Sequence, residues 1–345
     1  MTYLATHVVV EPTTDKELPI YDFSTLNAVE QCPKWGIVRY VHQKAFPSDA
    51  EKRQLAPEAG TAMHSAWAAV RLMWLLKETG DPDLFVREAK RIFKDKAEEV
   101  FGPAMRATNT PLEAGLNALA CSGYYDDPRD RKRTLNNMEE ALMYAVASWP
   151  FGHMPISVID DFVGIEQTID VTITYLQGND AIKQVRYAGR IDGLHWSEKM
   201  QTHVVLEHKH VSRVNASWEA GMRMSPQPIG YAIGMMARQI ECKAIVPFGV
   251  QLPLPTRVPA DGISSPRIDV TSHAVESFFK WVYEQHDIIV EHKDAPEYAP
   301  ERRHSCNRYF SECQFLDALC SESFDEQRET IANDMVATHW NPLDD

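Results

Sequence analysis

The run Val204-Val205-Leu206-Glu207-His208-Lys209 constrains the fold more than any other stretch, because it sets a carboxylate and a lysine inside apolar sequence. Val and Leu favour the pleated, half-buried surface of a sheet, so the run reads as a strand. Side chains alternate across a strand, which puts Glu207 and Lys209 on one face. Fourteen residues separate Glu207 from Asp192, which lies near the end of an earlier apolar-punctuated segment, 185–194, that reads as a neighbouring strand. Two carboxylates and a lysine converging at one sheet edge can hold a divalent metal and activate a water beside it, the chemistry of phosphodiester hydrolysis. The same residue types also occur as ion pairs on exposed strands, so the triplet takes its meaning from its surroundings.

Three further motifs surround it. In Ser225-Pro226-Gln227-Pro228-Ile229-Gly230-Tyr231 the prolines suit a helix start, where a missing N–H costs nothing. Gln227 and Tyr231 stand four apart and share one face of that helix. Upstream, Glu58-Ala59-Gly60-Thr61-Ala62-Met63-His64 opens another helix and carries His64 in its first turns. A lone helical histidine is more often a packed residue than a ligand. Earlier still, Phe23-Ser24-Thr25-Leu26-Asn27 forms an N-cap start that runs into Gln31-Cys32-Pro33.

In this order the set resembles the PD-(D/E)xK nuclease superfamily, in the branch that holds the RecB nuclease domain, the CRISPR-associated adaptation exonucleases and phage-encoded exonucleases. The matching pieces are Ser24-x-Leu26 with Cys32-Pro33, Gly60-x-x-x-His64, Gly189-Arg190-Ile191-Asp192, Glu207-His208-Lys209 and Gln227-x-x-x-Tyr231, as separated motifs over about residues 21–320. The resemblance implies a restriction-endonuclease-like α/β fold, a mixed central sheet flanked by helices with a helical insertion and a C-terminal cysteine staple. It implies Asp192 and Glu207 as metal carboxylates, with the backbone carbonyl of His208 and the ring of His64 as further ligands. Lys209 would position and help deprotonate the attacking water, or neutralise charge on the phosphate. Gln227 and Tyr231 would contact the DNA backbone or brace the lysine. Oxygen ligands suit Mg²⁺, and an added imidazole suits Mn²⁺ equally well. Glu166, on the first strand of the block, is a candidate additional acidic group or an exposed strand carboxylate.

Cysteines form a second constellation. Of the six, Cys306, Cys313 and Cys320 fall in one C-terminal stretch, and Cys32 lies at the other end of the chain. The N-terminus has no basic segment followed by a long apolar core, so a reducing, cytoplasmic setting is expected (the host cytoplasm for a phage-encoded chain), without a disulfide framework. One distant cysteine plus a C-terminal triplet resembles the iron–sulfur staple of the same nuclease branch, which implies a [4Fe–4S] cluster on Cys32, Cys306, Cys313 and Cys320. Zinc in the same four thiolates is the rival, and inert buried thiols are the third reading. Both C-terminal gaps are six residues rather than the usual two. On an unbroken helix, cysteines so spaced would stand roughly 10 Å apart, so a turn is expected between them. Cys121 and Cys242 read as core or incidental thiols.

The net charge is −14 over 345 residues, unusual for a chain that must approach a polyanion. Either basic residues cluster locally, as at Arg129, Arg131, Lys132 and Arg133 or at Arg302 and Arg303, or an acidic surface meets a protein partner. The balance argues against tight non-specific coating of DNA but not against hydrolysis of an end held by metal and cleft. No run approaches the roughly 18 to 20 apolar residues that span a membrane.

The patterning gives an extended segment at 1–20 and a helical region at 21–155, and the resemblance implies a nuclease core at 156–295 and a cysteine-rich staple and tail at 296–345. The patterns predict a helical entry at 25–41, a charged linker at 47–57, and helices over 61–78, 82–101, 111–122 and 135–148. Strands are predicted over 157–175, 182–194, 202–211 and 244–252, with a helix after Pro226 and another over 272–291. The expected activity is a metal-dependent DNA exonuclease acting on ends or single strands in recombination, replication or repair. A structure- or sequence-specific endonuclease of the same fold and a non-enzymatic subunit of a DNA-processing complex are the alternatives.

Overall fold

Apolar alternation in the middle of the chain produces its longest strands, and a computed structural model shows how they are used. Residues 2–5, 7–47, 54–102, 110–152, 154–177, 180–302, 307–308, 311–313, 316, 319 and 323–343 are described. Strands β1 (Thr2–Ala5), β2 (Val8–Pro12), β3 (Ile20–Tyr21) and β4 (Lys44–Ala45) accompany the helical entry Phe23–Gln31. Helices Leu55–Thr79, Pro82–Phe93, Ala97–Phe101, Pro111–Cys121 and Leu135–Ala147 follow. Then come β5 (Val158–Ile159), β6 (Phe162–Val163), β7 (Ile165–Gln177), β8 (Asp180–Ser197) and β9 (Thr202–Val211). Helices Ala216–Met224 and Gln227–Ala237 lead to β10 (Cys242–Gln251), β11 (Ile263–Ser264), β12 (Ile268–Asp269) and the helix Ser272–His292. The chain divides into two compact units, one of Met1–Arg53, Ile169–Gly189 and Ser272–Asp345, the other of Gln54–Thr168 and Arg190–Thr271.

The second unit holds the predicted α/β arrangement, a mixed sheet flanked by helices. β8 pairs antiparallel with β9, β9 pairs parallel with β10, and β10 pairs antiparallel with β11 and β12. Even-numbered residues of β9 face the helix Leu55–Thr79: the His208 ring lies 4.1 Å from that of Trp67, and Trp67 Nε1 donates to His210 Nε2 at 3.4 Å. Odd-numbered residues face the helix Gln227–Ala237, whose Tyr231 hydroxyl donates to Glu207 at 3.3 Å. Trp67, Met138, Leu142 and Phe248 belong to the apolar core under the first face.

Two predicted elements are divided differently, and one helix is additional. The stretch 157–175 is not one strand, because the short β5–β6 hairpin precedes β7 and Gly164 joins them. A Cβ on Gly164 would lie 2.5 Å from the Leu194 carbonyl oxygen, so this close backbone approach admits only glycine. The helix predicted over 82–101 breaks at Lys94, whose φ of 50° is left-handed and cannot continue a helix. Helix Ala216–Met224 was not predicted, since it has no buried residue and therefore no apolar stripe to read.

In the first unit the N-terminal residues supply two short paired strands. β2 joins β1 and β7 in antiparallel register, and Val8, Val9 and Val10 are buried. The unit also buries a cation, because Lys34 is 2% exposed. Its ammonium donates to Glu301 Oε1 (2.8 Å), the Leu319 carbonyl (3.0 Å) and Gln327 Oε1 (2.9 Å), filling all three donor positions. These partners come from far along the sequence, so one side chain ties the helical entry to the C-terminal segment. In the same unit Asp170 accepts from Arg186 Nε (2.8 Å), Arg186 Nη2 (2.9 Å) and Lys16 Nζ (2.7 Å). Burial pushes the Asp170 carboxyl up, but hydrogen bonds from Arg186, Lys16 and Thr13 outweigh it and hold it at about 2.

Lys34→Met should leave three acceptors without their shared donor and lower the unfolding free energy by about 3 kcal/mol, measured by urea denaturation. A change within error would remove the tie. Asp170 titrates at about 2 folded against an ordinary 3.8, so its contribution is present above pH 4 and lost as pH falls toward 2. Thermal unfolding of Asp170→Asn should therefore lack part of the wild-type drop in melting temperature across that window. Parallel acid limbs in the two proteins would contradict it.

Candidate metal centre

The site forms where β8 and β9 part. Their antiparallel pairs run from Ser197↔Thr202 to Gly193↔Leu206, and Asp192 and Glu207 come one step beyond. The Asp192 carboxylate spans the opening by accepting from the His208 amide at 2.5 Å through Oδ2. Its Oδ1 lies 3.0 Å from His64 Nδ1. On the neighbouring strand Lys209 Nζ stands 2.5 Å from Glu207 Oε1. Gln227 donates to the Tyr231 hydroxyl at 2.8 Å, which donates in turn to Glu207. Glu166, from β7, pairs through Oε2 with Arg190 Nε at 3.2 Å.

His64, Glu166 and Asp192 each offer a ligand atom, and these atoms lie within 4.8 Å of one another. The tightest donor set thus contains Glu166, while Glu207 is engaged by Lys209 and Tyr231 at the side of the group. His208 enters through its main chain, since its ring is packed against Trp67 on the opposite face. Gln227 and Tyr231 form a chain that ends on Glu207, two residues along the strand from Lys209.

Each ligand is held by a device outside the motifs. His64 sits on a helix whose buried side includes Ala59, Ala62 and Ala66, small residues that let the backbone approach the sheet. Arg71, from the same helix and fully buried, donates through Nη1 to the Asp192 carbonyl at 2.6 Å. Gly193 makes room for it, because a Cβ there would lie 2.8 Å from the Arg71 guanidinium carbon. Glu166 has a φ of 45°, a costly backbone state for a residue with a side chain. Arg91 holds that kink by donating to the carbonyls of Ile165 (2.5 Å) and Glu166 (3.0 Å), and it is itself braced by buried Glu88 at 2.7 Å. Sequence reading missed Arg71 and Arg91, since an arginine on an amphipathic helix carries no local sign of a main-chain partner.

The electrostatics favour an added cation. Burial, then the charge on Asp192, pushes the Glu166 carboxyl up to about 7. The same two causes raise Glu207. Burial also works against an ionised Asp192, but His64, Arg71 and Lys209 outweigh it and hold the group at about 2. Glu166 Oε1 and Glu207 Oε2 are buried and carry no hydrogen bond among the described residues. A buried carboxylate oxygen with no donor is costly. One hard divalent cation with oxygen ligands and a single imidazole would satisfy such a set, so the residues fit Mg²⁺ or Mn²⁺.

The other predicted groups fall elsewhere. Cys32 is buried between two helical segments, and Cys313 packs against an apolar cluster that includes Val38 and Ile331. Cys306 and Cys320 lie outside the described residues, so the four-thiolate expectation rests on sequence. Burial pushes the thiols of Cys121 and Cys242 up to about 11, as for inert core cysteines. In the run 129–133, Arg129 pairs with Asp127 at 2.6 Å and Arg133 with Asp130 at 2.5 Å, which neutralises much of its charge locally. Arg302 donates to the Glu30 carbonyl, and Arg303 lies outside the described residues. No helix among the described residues is long and apolar enough to cross a membrane.

No family model matches the chain. No curated protein matches it. Among solved structures, Scheffersomyces stipitis Rai1 in complex with (3'-NADP)+ and calcium ion aligns at 10% identity, over 93% of this chain and 89% of that one. The TM-score is 0.20, below the level at which two chains share a fold.

Arg91→Ala should release the Glu166 kink and weaken Mn²⁺ binding roughly 10-fold, as measured by isothermal titration. An unchanged Kd would show that Arg91 has no part in placing the carboxylate.

Proposed function

We propose that the protein is a metal-dependent nuclease that hydrolyses phosphodiester bonds in DNA, acting as an exonuclease on ends or single strands. The observation that carries this reading is the buried convergence of His64, Glu166 and Asp192 beside the Glu207–Lys209 pair. A divalent cation bound there supplies Lewis-acid polarisation of a phosphoryl oxygen and a bound water of lowered pKa. Asp192, Glu166 and His64 would hold it, and the Arg71 and Arg91 contacts keep the first two of these groups in place. Lys209 presents an ammonium at the same edge and donates to the phosphate oxygen as charge develops. Tyr231, backed by Gln227, fixes the Glu207 carboxylate and so fixes Lys209. A scaffold has no need to bury this much charge, which supports an enzyme over a non-catalytic subunit.

End-labelled linear duplex, single-stranded and covalently closed circular DNA should be incubated with purified protein and Mg²⁺, Mn²⁺ or EDTA. Linear and single-stranded substrates should be degraded with either ion, and circles should stay intact. Asp192→Ala, Glu207→Ala and Lys209→Ala should each lower the rate by at least roughly 100-fold without loss of folded protein. Cleavage of the circle would move the reading to an endonuclease at the same site. Near wild-type rates in any two of the variants would sink it.

A further inference from the structure

One row of the second unit's sheet crosses three strands next to the candidate centre. Lys209 on β9 is the register partner of Gly249 on β10, and Gly249 is the partner of Ser264 on β11. Register partners on adjacent strands project to the same face, so this row continues the face that carries Glu207 and Lys209. Helix Ala216–Met224 lies over it. Glu219 accepts from the Ser264 hydroxyl at 2.5 Å, Arg223 donates to the Arg267 carbonyl at 3.2 Å, and Asn215 caps the helix start through the Trp218 amide at 2.9 Å. No residue of the helix is fully buried, and its apolar contact with the sheet comes from Trp218. Glu219 and Arg223 add the polar contacts that tie it to the segment 264–267.

Trp218 is the aromatic residue that this helix sets over the row. A Cβ on Gly249 would lie 2.4 Å from Trp218 Cη2 and 2.7 and 2.8 Å from its two ring neighbours. Neighbours only slightly farther away than Cη2 itself put that point above the ring plane, so the tip of the ring lies flat over the glycine. One indole face therefore covers the strand and the other is turned away from it, on a residue that is only half-buried. The sequence places a glycine where any side chain would displace the ring. It does so beside the lysine that is offered to phosphate.

We propose that the outer face of Trp218 is a stacking platform for one unpaired nucleobase of a single strand whose phosphate lies at Lys209. This rests on the nuclease reading of the same site and narrows its substrate to a strand end with at least one unstacked base. Stacking on an aromatic ring tolerates any base, because every base has a π-face, and the stacked contact itself involves no ionic pair. It therefore suits a chain of net charge −14 better than broad electrostatic binding does.

The test measures binding apart from cleavage. In an Asp192→Asn background, fluorescence anisotropy follows a 5′-labelled oligothymidylate and the same strand with abasic terminal positions. Trp218→Leu keeps an apolar cover on Gly249 without a π-face and should weaken oligothymidylate binding about 10-fold, whereas Trp218→Phe should stay within about threefold. The abasic strand should bind the unsubstituted background as weakly as oligothymidylate binds Trp218→Leu, and Trp218→Leu should weaken it no further. That comparison on the unsubstituted background needs no Trp218 variant to fold. Equal binding of the two strands there, or equal weakening of both by Trp218→Leu, would overturn the platform. If wild-type protein cleaves nothing while the base-dependent loss persists, the nuclease reading falls and the platform stands. If cleavage persists and the loss is absent, the reverse holds.

Discussion

Burying three carboxylates within one sheet edge is the constraint on which the second unit depends. Glu166, Asp192 and Glu207 are at most 9% exposed, and a carboxylate removed from water must be paired, hydrogen-bonded or neutralised. The chain meets that demand in two ways. Cationic groups surround the cluster at Arg190, Lys209 and His64, and the His208 amide donates to Asp192. Arginines behind the ligands hold their main chains rather than their carboxylates. What is left over, one oxygen each on Glu166 and Glu207, is the part that suits a bound cation.

The same constraint fixes the register of the strands. Odd positions of β9 carry Glu207 and Lys209 toward Tyr231, while even positions carry His208 and His210 into the aromatic layer of Trp67, Trp149 and Phe248. A slip of one residue would bury Lys209 among tryptophans and turn the histidines toward the carboxylates. Catalytic geometry and core packing are therefore two sides of one strand. The glycines at 193 and 249 serve the same end, because each clears space for a large side chain, Arg71 on one face and Trp218 on the other.

The first unit meets the problem of joining distant segments with a buried charge. Lys34 follows directly on Cys32 and Pro33, and its three acceptors come from the C-terminal part of the chain. A tie between the two chain ends was expected from the cysteines. The described residues show one made by an ammonium, at the helix next to Cys32. The two are compatible, since a salt-bridged lysine needs no thiolate and competes for none of the same ligand atoms.

Much of this was determined by local sequence. Alternation from Val204 to Lys209 sufficed for a strand with its carboxylate and lysine on one face, and the four-residue spacing of Gln227 and Tyr231 placed both on one side of a helix. Prolines and caps marked the helices well, because those signals act within one turn of chain. The sequence also named Glu166 as a candidate acid, but nothing local showed that its backbone would be left-handed or that it would meet His64 and Asp192. Arg71, Arg91 and Trp218 owe their roles to partners dozens of residues away, the carbonyls of Asp192, Ile165 and Glu166 and the bare Cα of Gly249. A main-chain carbonyl has no residue type, and a missing side chain leaves no pattern. Such contacts exist only once the sheet and its helices have packed, which is why tertiary structure alone decided them.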